Sequence, residues 1–232
     1  MLERYSLTAT SIQLSERFSV DIPESYKPRY NVLPSQLLPV ITHESPKGIS
    51  FFYWGLAPGW AKNKSISEKI INARAEQINE RPVLKKNLMQ HRCIIPVDGF
   101  YGWKKIGKKS TVPYRFVLHT KELFSLAGLW EEYDDENGEL YHTFTIITCQ
   151  ANDLVSAVQE RMPAILDRPA EKIWLNVQSS AEELLPLLAP YPSSKMDCYT
   201  VSPRINSIVN DDATLILPAP PADQFGNLTL FD

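Results

Sequence analysis

Cysteine is scarce: Cys93, Cys149 and Cys198 are the 3 in 232 residues. An odd count at wide spacing excludes a disulfide framework and a cysteine-ligated zinc site. Cys93 and Cys149 lie in apolar runs and read as buried thiols. Histidine is little more common. His43, His91, His119 and His142 are scattered, and none forms a ligand pair at helical spacing, so no metal is expected. There is no glycine-rich phosphate loop and no nucleophile elbow, so no nucleotide cofactor and no serine-hydrolase chemistry is expected. No run of about 18 apolar residues occurs, which predicts no membrane span. Glu3 and Arg4 interrupt the start before any apolar stretch, so no leader is expected and a cytoplasmic location follows. A basic excess is also missing. The formal net charge is -3, whereas a dedicated duplex-DNA binder is usually basic. The acid is concentrated at Asp134, Asp135, Glu136 and Glu139, at Glu182 and Glu183, and at Asp211 and Asp212. The remainder is more basic and has room for a local cationic groove.

What is present suffices for a sizeable core in one globular chain, with hydrophobic residues at 44%. The prolines punctuate short elements. Thr10–Phe18 reads as a short helix. Leu37–Ile41 reads as a strand broken by Pro39, and Ser50–Trp54 as a buried strand. Ser65 and Glu68 have capping-box spacing. Pro82–Gln90 has helical periodicity, with Pro82 suited to a first turn. Cys93–Val97 and Phe100–Trp103 read as strands kinked at Asp98-Gly99, followed by strands Tyr114–His119 and Leu123–Trp130. Asn137-Gly138 suggests a hairpin into His142–Thr148. Asp153–Glu160 and Pro169–Leu175 read as helices, and Ser179 with Glu182 as the cap of a third. A late strand covers Lys195–Val201. The proline-rich tail 218–232 is expected to be loosely held, which leaves 1–217 as the domain. Short strands with segregated helices give an α+β fold: one mixed domain with an antiparallel, barrel-like core and peripheral helices. A monomer is expected.

Four segments carry candidate chemistry. In Asn72-Ala73-Arg74-Ala75-Glu76, an extended chain puts Asn72, Arg74 and Glu76 on one side. Amide, guanidinium and carboxylate suit a phosphate or sugar site, and equally a strand end with an internal Arg-Glu pair. The bent loop Trp54–Trp60 carries two indoles that can stack on bases or anchor the loop in the core. Asp98–Trp103 is an aromatic corner beside Lys104, Lys105, Lys108 and Lys109, which form a solvated loop or a phosphate-facing rim. Arg161-Met162-Pro163 leaves the expected helix, so Arg161 reaches a phosphate or caps that helix.

In order along positions 1 to 212, these segments resemble the SOS response-associated peptidase (SRAP) family of abasic-site-processing proteins. The matching pieces include Arg4-Tyr5, Arg29–Val32, Trp54-Gly55-Leu56 and Asn72–Glu76. They continue through Asp98–Tyr101 with Trp103, Ala127–Trp130, Phe144–Thr148, Arg161-Met162-Pro163, and Val201-Ser202 with Val209-Asn210. The resemblance implies binding of single-stranded or junction DNA that is abasic or otherwise damaged, in the DNA-damage (SOS) response. It assigns phosphates to Arg4, Arg74 and Arg161, the sugar to Asn72, and a neighbouring base to Trp60 or Trp103. It also implies a covalent DNA-protein crosslink with peptidase or lyase chemistry, built on a cysteine, a glutamate and a histidine. Those three positions are Leu2, Gly102 and Gln159 here. Isobutyl, hydrogen and amide groups do not transfer protons near neutral pH, so the resemblance predicts that this chemistry is weakened or lost. Two alternatives stand beside it. Leu2 leaves the α-amine with Met1, and that amine can form a Schiff base with an aldehyde. The other is a non-catalytic protein-binding module, which suits the acidic net charge.

Overall fold

The computed structural model describes residues 2–55, 71–134 and 138–229. Apolar residues run without alternation through β6 (Arg92–Val97), and every residue of that strand is buried. Such a run needs cover on both faces. Its neighbours are β3 (Leu37–Thr42) and β9 (Phe124–Asp134). β4 (Ser50–Trp54) and β10 (Leu140–Gln150) complete a ring in the order β10-β4-β3-β6-β9, which closes because β9 also pairs with β10. Closure removes the exposed edges of this five-strand barrel. The expected antiparallel character holds for most pairs, but β4 and β5 (Asn72–Arg74) both run parallel to β10. A second sheet has the order β13-β8-β7-β1-β2. Its strands are β1 (Tyr5–Leu7), β2 (Arg29–Val32), β7 (Gly99–Ile106), β8 (Ser110–Leu118) and β13 (Met196–Thr200). The main core, with Tyr5, Trp54, Phe100, Phe116 and Phe144, contains residues of both sheets. The two-residue strand β12 (Ile165–Leu166) pairs with β9, and β11 (Arg161–Pro163) pairs with β10. This is the mixed α+β domain that short strands with segregated helices predicted.

Helix Ser11–Phe18 is capped by Thr10 with Gln13 in a reciprocal box, and helix Pro82–Gln90 has its proline in the first turn. Both match their sequence signals. Other expectations need correction. Pro39 does not break β3: it sits opposite Phe51 of β4, and pairing with β6 begins only at Ile41. The missing N–H therefore falls where β3 has no second neighbour. The helix expected over 153–160 is the single turn Asp153–Ser156. Beyond it the N–H of Ala151 bonds the carbonyl of Glu160, and Gln150 pairs with Arg161, so sheet formation ends the helix. Arg161 accordingly opens strand β11 and does not leave a helix. The third cap is Ser180 with Glu183, because the Ser179 hydroxyl is already donated to the Ile173 carbonyl. The described part of the tail does not hang free. Pro218 bridges Val201, Ala222 bridges Leu228, and Gln224 bonds the backbone of Thr111 and Lys109. Ser65 and Glu68 lie outside the described residues, as do Asn137 and Trp60.

Candidate functional site

Three segments far apart in sequence border one cleft of about 720 Å³. Arg74 comes from the end of β5, Trp103, Lys104 and Lys105 from β7, and Arg161 from β11. Pairing of β5 and of β11 with β10 brings Arg74 and Arg161 together: Thr148 is opposite Arg74 in one ladder and opposite Pro163 in the other.

The three arginines differ in what holds them. Arg161 Nη1 and Nη2 donate to the two Glu76 oxygens at 3.3 and 2.8 Å, and Nη2 and Nε reach Thr148. Glu76 is able to meet Arg161 because the chain leaves the strand after Arg74 and enters a 3-10 turn, Ala75–Gln77. The extended run Asn72–Glu76 expected from sequence thus stops at Arg74, and the ion pair is between segments. Partial burial pushes the Glu76 carboxyl up, but its bonds to Arg161 outweigh that and leave it below its usual range. Arg4 is committed to the protein. Its Nη1 donates to Asn31 Oδ1 at 2.9 Å and to the Ile205 carbonyl, and Nη2 donates to the Asn206 carbonyl. Burial lowers its pKa, against a raising effect of Glu3 and Tyr101. Its guanidinium also sits 5.9 Å from the Trp103 ring, whose Nε1 is bonded to Asn206 Oδ1 at 2.8 Å. Arg4 is therefore a brace behind Trp103. Arg74 is exposed and forms no hydrogen bond or ion pair among the described residues.

Asn72 is 9% exposed and donates through Nδ2 to the Leu2 carbonyl at 2.6 Å. Its Oδ1 is buried and has no hydrogen-bond partner among the described residues. A buried acceptor left unmatched costs about 1–3 kcal/mol, so this oxygen is primed for a donor. The Leu2 side chain is 1% exposed and packs in the main core. Met1 lies outside the described residues. Gly102 and Gln159 occupy one place. A Cβ on Gly102 would stand 2.8 Å from Gln159 Oε1 and 3.0 Å from the Phe116 ring. Gln159 Nε2 donates to the Arg161 carbonyl at 2.8 Å, which directs its amide along the cleft wall.

Sequence motifs did not mark two further features. Glu3 and Glu160 are exposed carboxylates that also line the cleft. Beneath the Asp98-Gly99 corner, Asp98 accepts from Ser6 Oγ, from Thr8 N and Oγ1, and from Arg115 Nη2. Burial alone would lower the pKa of the Arg115 guanidinium, but the Asp98 charge, with Tyr199 and Tyr101, leaves it raised. The cleft thus offers cations for phosphates and an indole for a flat ring, and the buried Asn72 amide lies two residues before Arg74 on the same strand. Its walls at 102 and 159 hold no proton-transferring side chain.

The family model described as SOS response associated peptidase (SRAP) matches residues 1–208. The abasic site processing protein YoqW of Bacillus subtilis is 41% identical over 221 residues, which cover 93% of this chain and 99% of that protein. The abasic site processing protein YMR114C of Saccharomyces cerevisiae is 34% identical, over 83% of this chain and 53% of its own length. A crystal structure of a protein from Bacteroides thetaiotaomicron superposes with a TM-score of 0.78 at 30% identity, covering 93% of this chain and 99% of the other.

Proposed function

The chain belongs to the SOS response associated peptidase (SRAP) family, and from that premise we propose that its cleft takes single-stranded DNA carrying an abasic nucleotide. The observation that supports this most is the meeting of Arg74, Lys104 and Lys105 with Trp103 in the lining of one cleft, in a chain whose net charge is -3. Cations collected against the overall charge balance indicate a polyanionic partner. Arg74 holds a phosphate directly. Arg161, already paired with Glu76, and Arg4, behind Trp103, shape the site. Asn72 faces the sugar, and Trp103 supplies a stacking surface for a neighbouring base. The crosslinking and peptidase or lyase chemistry of the family is weakened here, because Gly102 and Gln159 move no protons and Leu2 has no thiol.

Titration of a fluorescent single strand followed by anisotropy tests this. Binding should fall with salt, with a slope in log K against log salt of about -2, as expected for some three phosphates at about -0.7 each. Failure to bind at micromolar protein in low salt would overturn the reading and favour a protein-binding module.

A second reading rests on the bond from Asn72 to the Leu2 carbonyl. It fixes Leu2, the neighbour of the cleft-lining Glu3, and in this reading the Met1 α-amine that precedes it is the nucleophile. An α-amine with a pKa of about 7.7–8.0 is partly neutral near pH 7.5 and nucleophilic. The expected product is a reversible Schiff base. Borohydride treatment in the presence of abasic single-stranded DNA should trap it as an adduct on the N-terminal peptide. Mass spectrometry showing no such adduct would eliminate amine chemistry and leave binding alone.

A further inference from the structure

Glu3 has a place in the sheet that composition and motif do not disclose. β1 and β7 pair antiparallel with Tyr5 opposite Phe100 and Ser6 opposite Gly99. The N–H of Tyr101 donates to the Arg4 carbonyl, so the ladder continues one step beyond β1. The next step sets Glu3 across from Gly102. Directly opposed residues on one face have Cβ positions about 4.5–5.5 Å apart. Arg4 lies on the side of Trp103. Glu3 stands just before the strand and is exposed, while Leu2 and Tyr5 on either side of it are buried in the main core. Glu3 also lines the cleft, and it does so together with Gln159, the residue that fills the space beside Gly102.

We propose that Glu3 is the specificity-determining carboxylate of this cleft, presented from the strand opposite a glycine that has no side chain to offer. The inference rests on the DNA reading above and deepens it. A carboxylate among Arg74, Lys104 and Lys105 repels a phosphate placed next to it, so the backbone stays on the cationic wall. The same carboxylate accepts a hydrogen bond from a neutral hydroxyl. An abasic sugar carries such a hydroxyl at C1′, where an intact nucleotide carries its base. Glu3 therefore favours the abasic sugar twice, by accepting from the hydroxyl and by discouraging intact backbone from sliding inward. No bond is made or broken in this role.

The test uses the full chain and three otherwise identical single strands: intact, with one natural abasic site, and with one tetrahydrofuran site that lacks the C1′ hydroxyl. Anisotropy should rank natural abasic DNA about tenfold above the tetrahydrofuran strand, the size expected for one hydrogen bond to a charged group. Glu3→Gln should remove that gap and should bind intact DNA more tightly than the parent. Glu160→Gln, altering the other exposed carboxylate of the cleft, should keep the gap. Glu3 is exposed, so loss of folding is not expected, and a circular dichroism melt checks this. If the protein binds DNA but Glu3→Gln leaves the gap intact, or Glu160→Gln erases it equally, the assignment to Glu3 is overturned while the DNA reading survives. If no strand binds, the DNA reading itself fails, and Glu3 with it.

Discussion

Replacing Asp98 with Ala should cost about 3–5 kcal/mol of unfolding free energy, the largest single effect expected in this chain. The carboxylate accepts four hydrogen bonds, from Ser6, Thr8 and Arg115, and thereby ties the end of β1 to the corner that opens β7. Removal leaves the Arg115 guanidinium with a side chain 8% exposed and no counter-charge. An unpaired buried charge is what makes the loss large. The pair's own net contribution is smaller, because both ions were desolvated to form it. Asp98→Ala combined with Arg115→Met should therefore recover a substantial part of the loss. Urea unfolding of the two variants measures the difference through their midpoints. A loss below about 1 kcal/mol for Asp98→Ala would show that water enters and satisfies Arg115. The consequence for the site is direct. Glu3 and Arg4 lead into β1 and Thr8 follows it, so the register of β1 against β7 bears on what faces the cleft.

Local sequence encoded those parts of the fold that local chemistry decides. The short helix after Thr10, Pro82 in a first turn and the strand at Ser50–Trp54 all stand as read. The misreadings share one cause. Asp153–Glu160 has a helical pattern, but its last residues are drawn into the β10–β11 hairpin, and pairing with a strand remote from it outweighs propensity. Pro39 reads as a breaker only when the strand's neighbours are unknown. The site behaves in the same way. The Asn72–Glu76 motif marks the right segment, yet the partner of Glu76 is Arg161, from 85 residues away. The closeness of Gly102 to Gln159 has no signal in one sequence, since the two positions are brought together only by the sheet. That closeness bears on repair of the site. A side chain at 102 must first displace the Gln159 amide, whose own bond to the Arg161 carbonyl sets the wall of the cleft. The two positions are therefore coupled, and changing one alone leaves the other in its way. Leu2 adds a separate barrier. Its side chain is in the core, where full burial of a leucine contributes about 1.5–3 kcal/mol, so a smaller thiol there loses packing.

Arg74→Ala should weaken binding of single-stranded DNA by about 10- to 100-fold at low salt, because a hydrogen bond to a charged group contributes about 1.5–3 kcal/mol. Position within the cleft makes this the decisive arginine. Arg161 already has both terminal nitrogens on Glu76, and Arg4 is spent on Asn31 and two backbone carbonyls. Arg74 is exposed, lines the same cleft, and bonds to nothing else among the described residues. Its removal breaks no hydrogen bond or ion pair among the described residues and takes away only a modest charge effect on Glu76, so the melting temperature should stay close to the parent's. The salt slope should become shallower by about 0.7, the share of one phosphate on a single strand. Arg4→Ala provides the contrast. It should lower stability by freeing the Ile205 and Asn206 carbonyls and loosening the support of Trp103, with a slope close to the parent's because no direct phosphate contact is lost. Titrations of both variants across a salt series separate the two roles. Equal slopes for Arg74→Ala and the parent would mean that the phosphate runs elsewhere, and the path of DNA through this cleft would have to be abandoned. A slope reduced in Arg4→Ala but not in Arg74→Ala would reverse the assignments and place the backbone on the Asn31 side of Trp103.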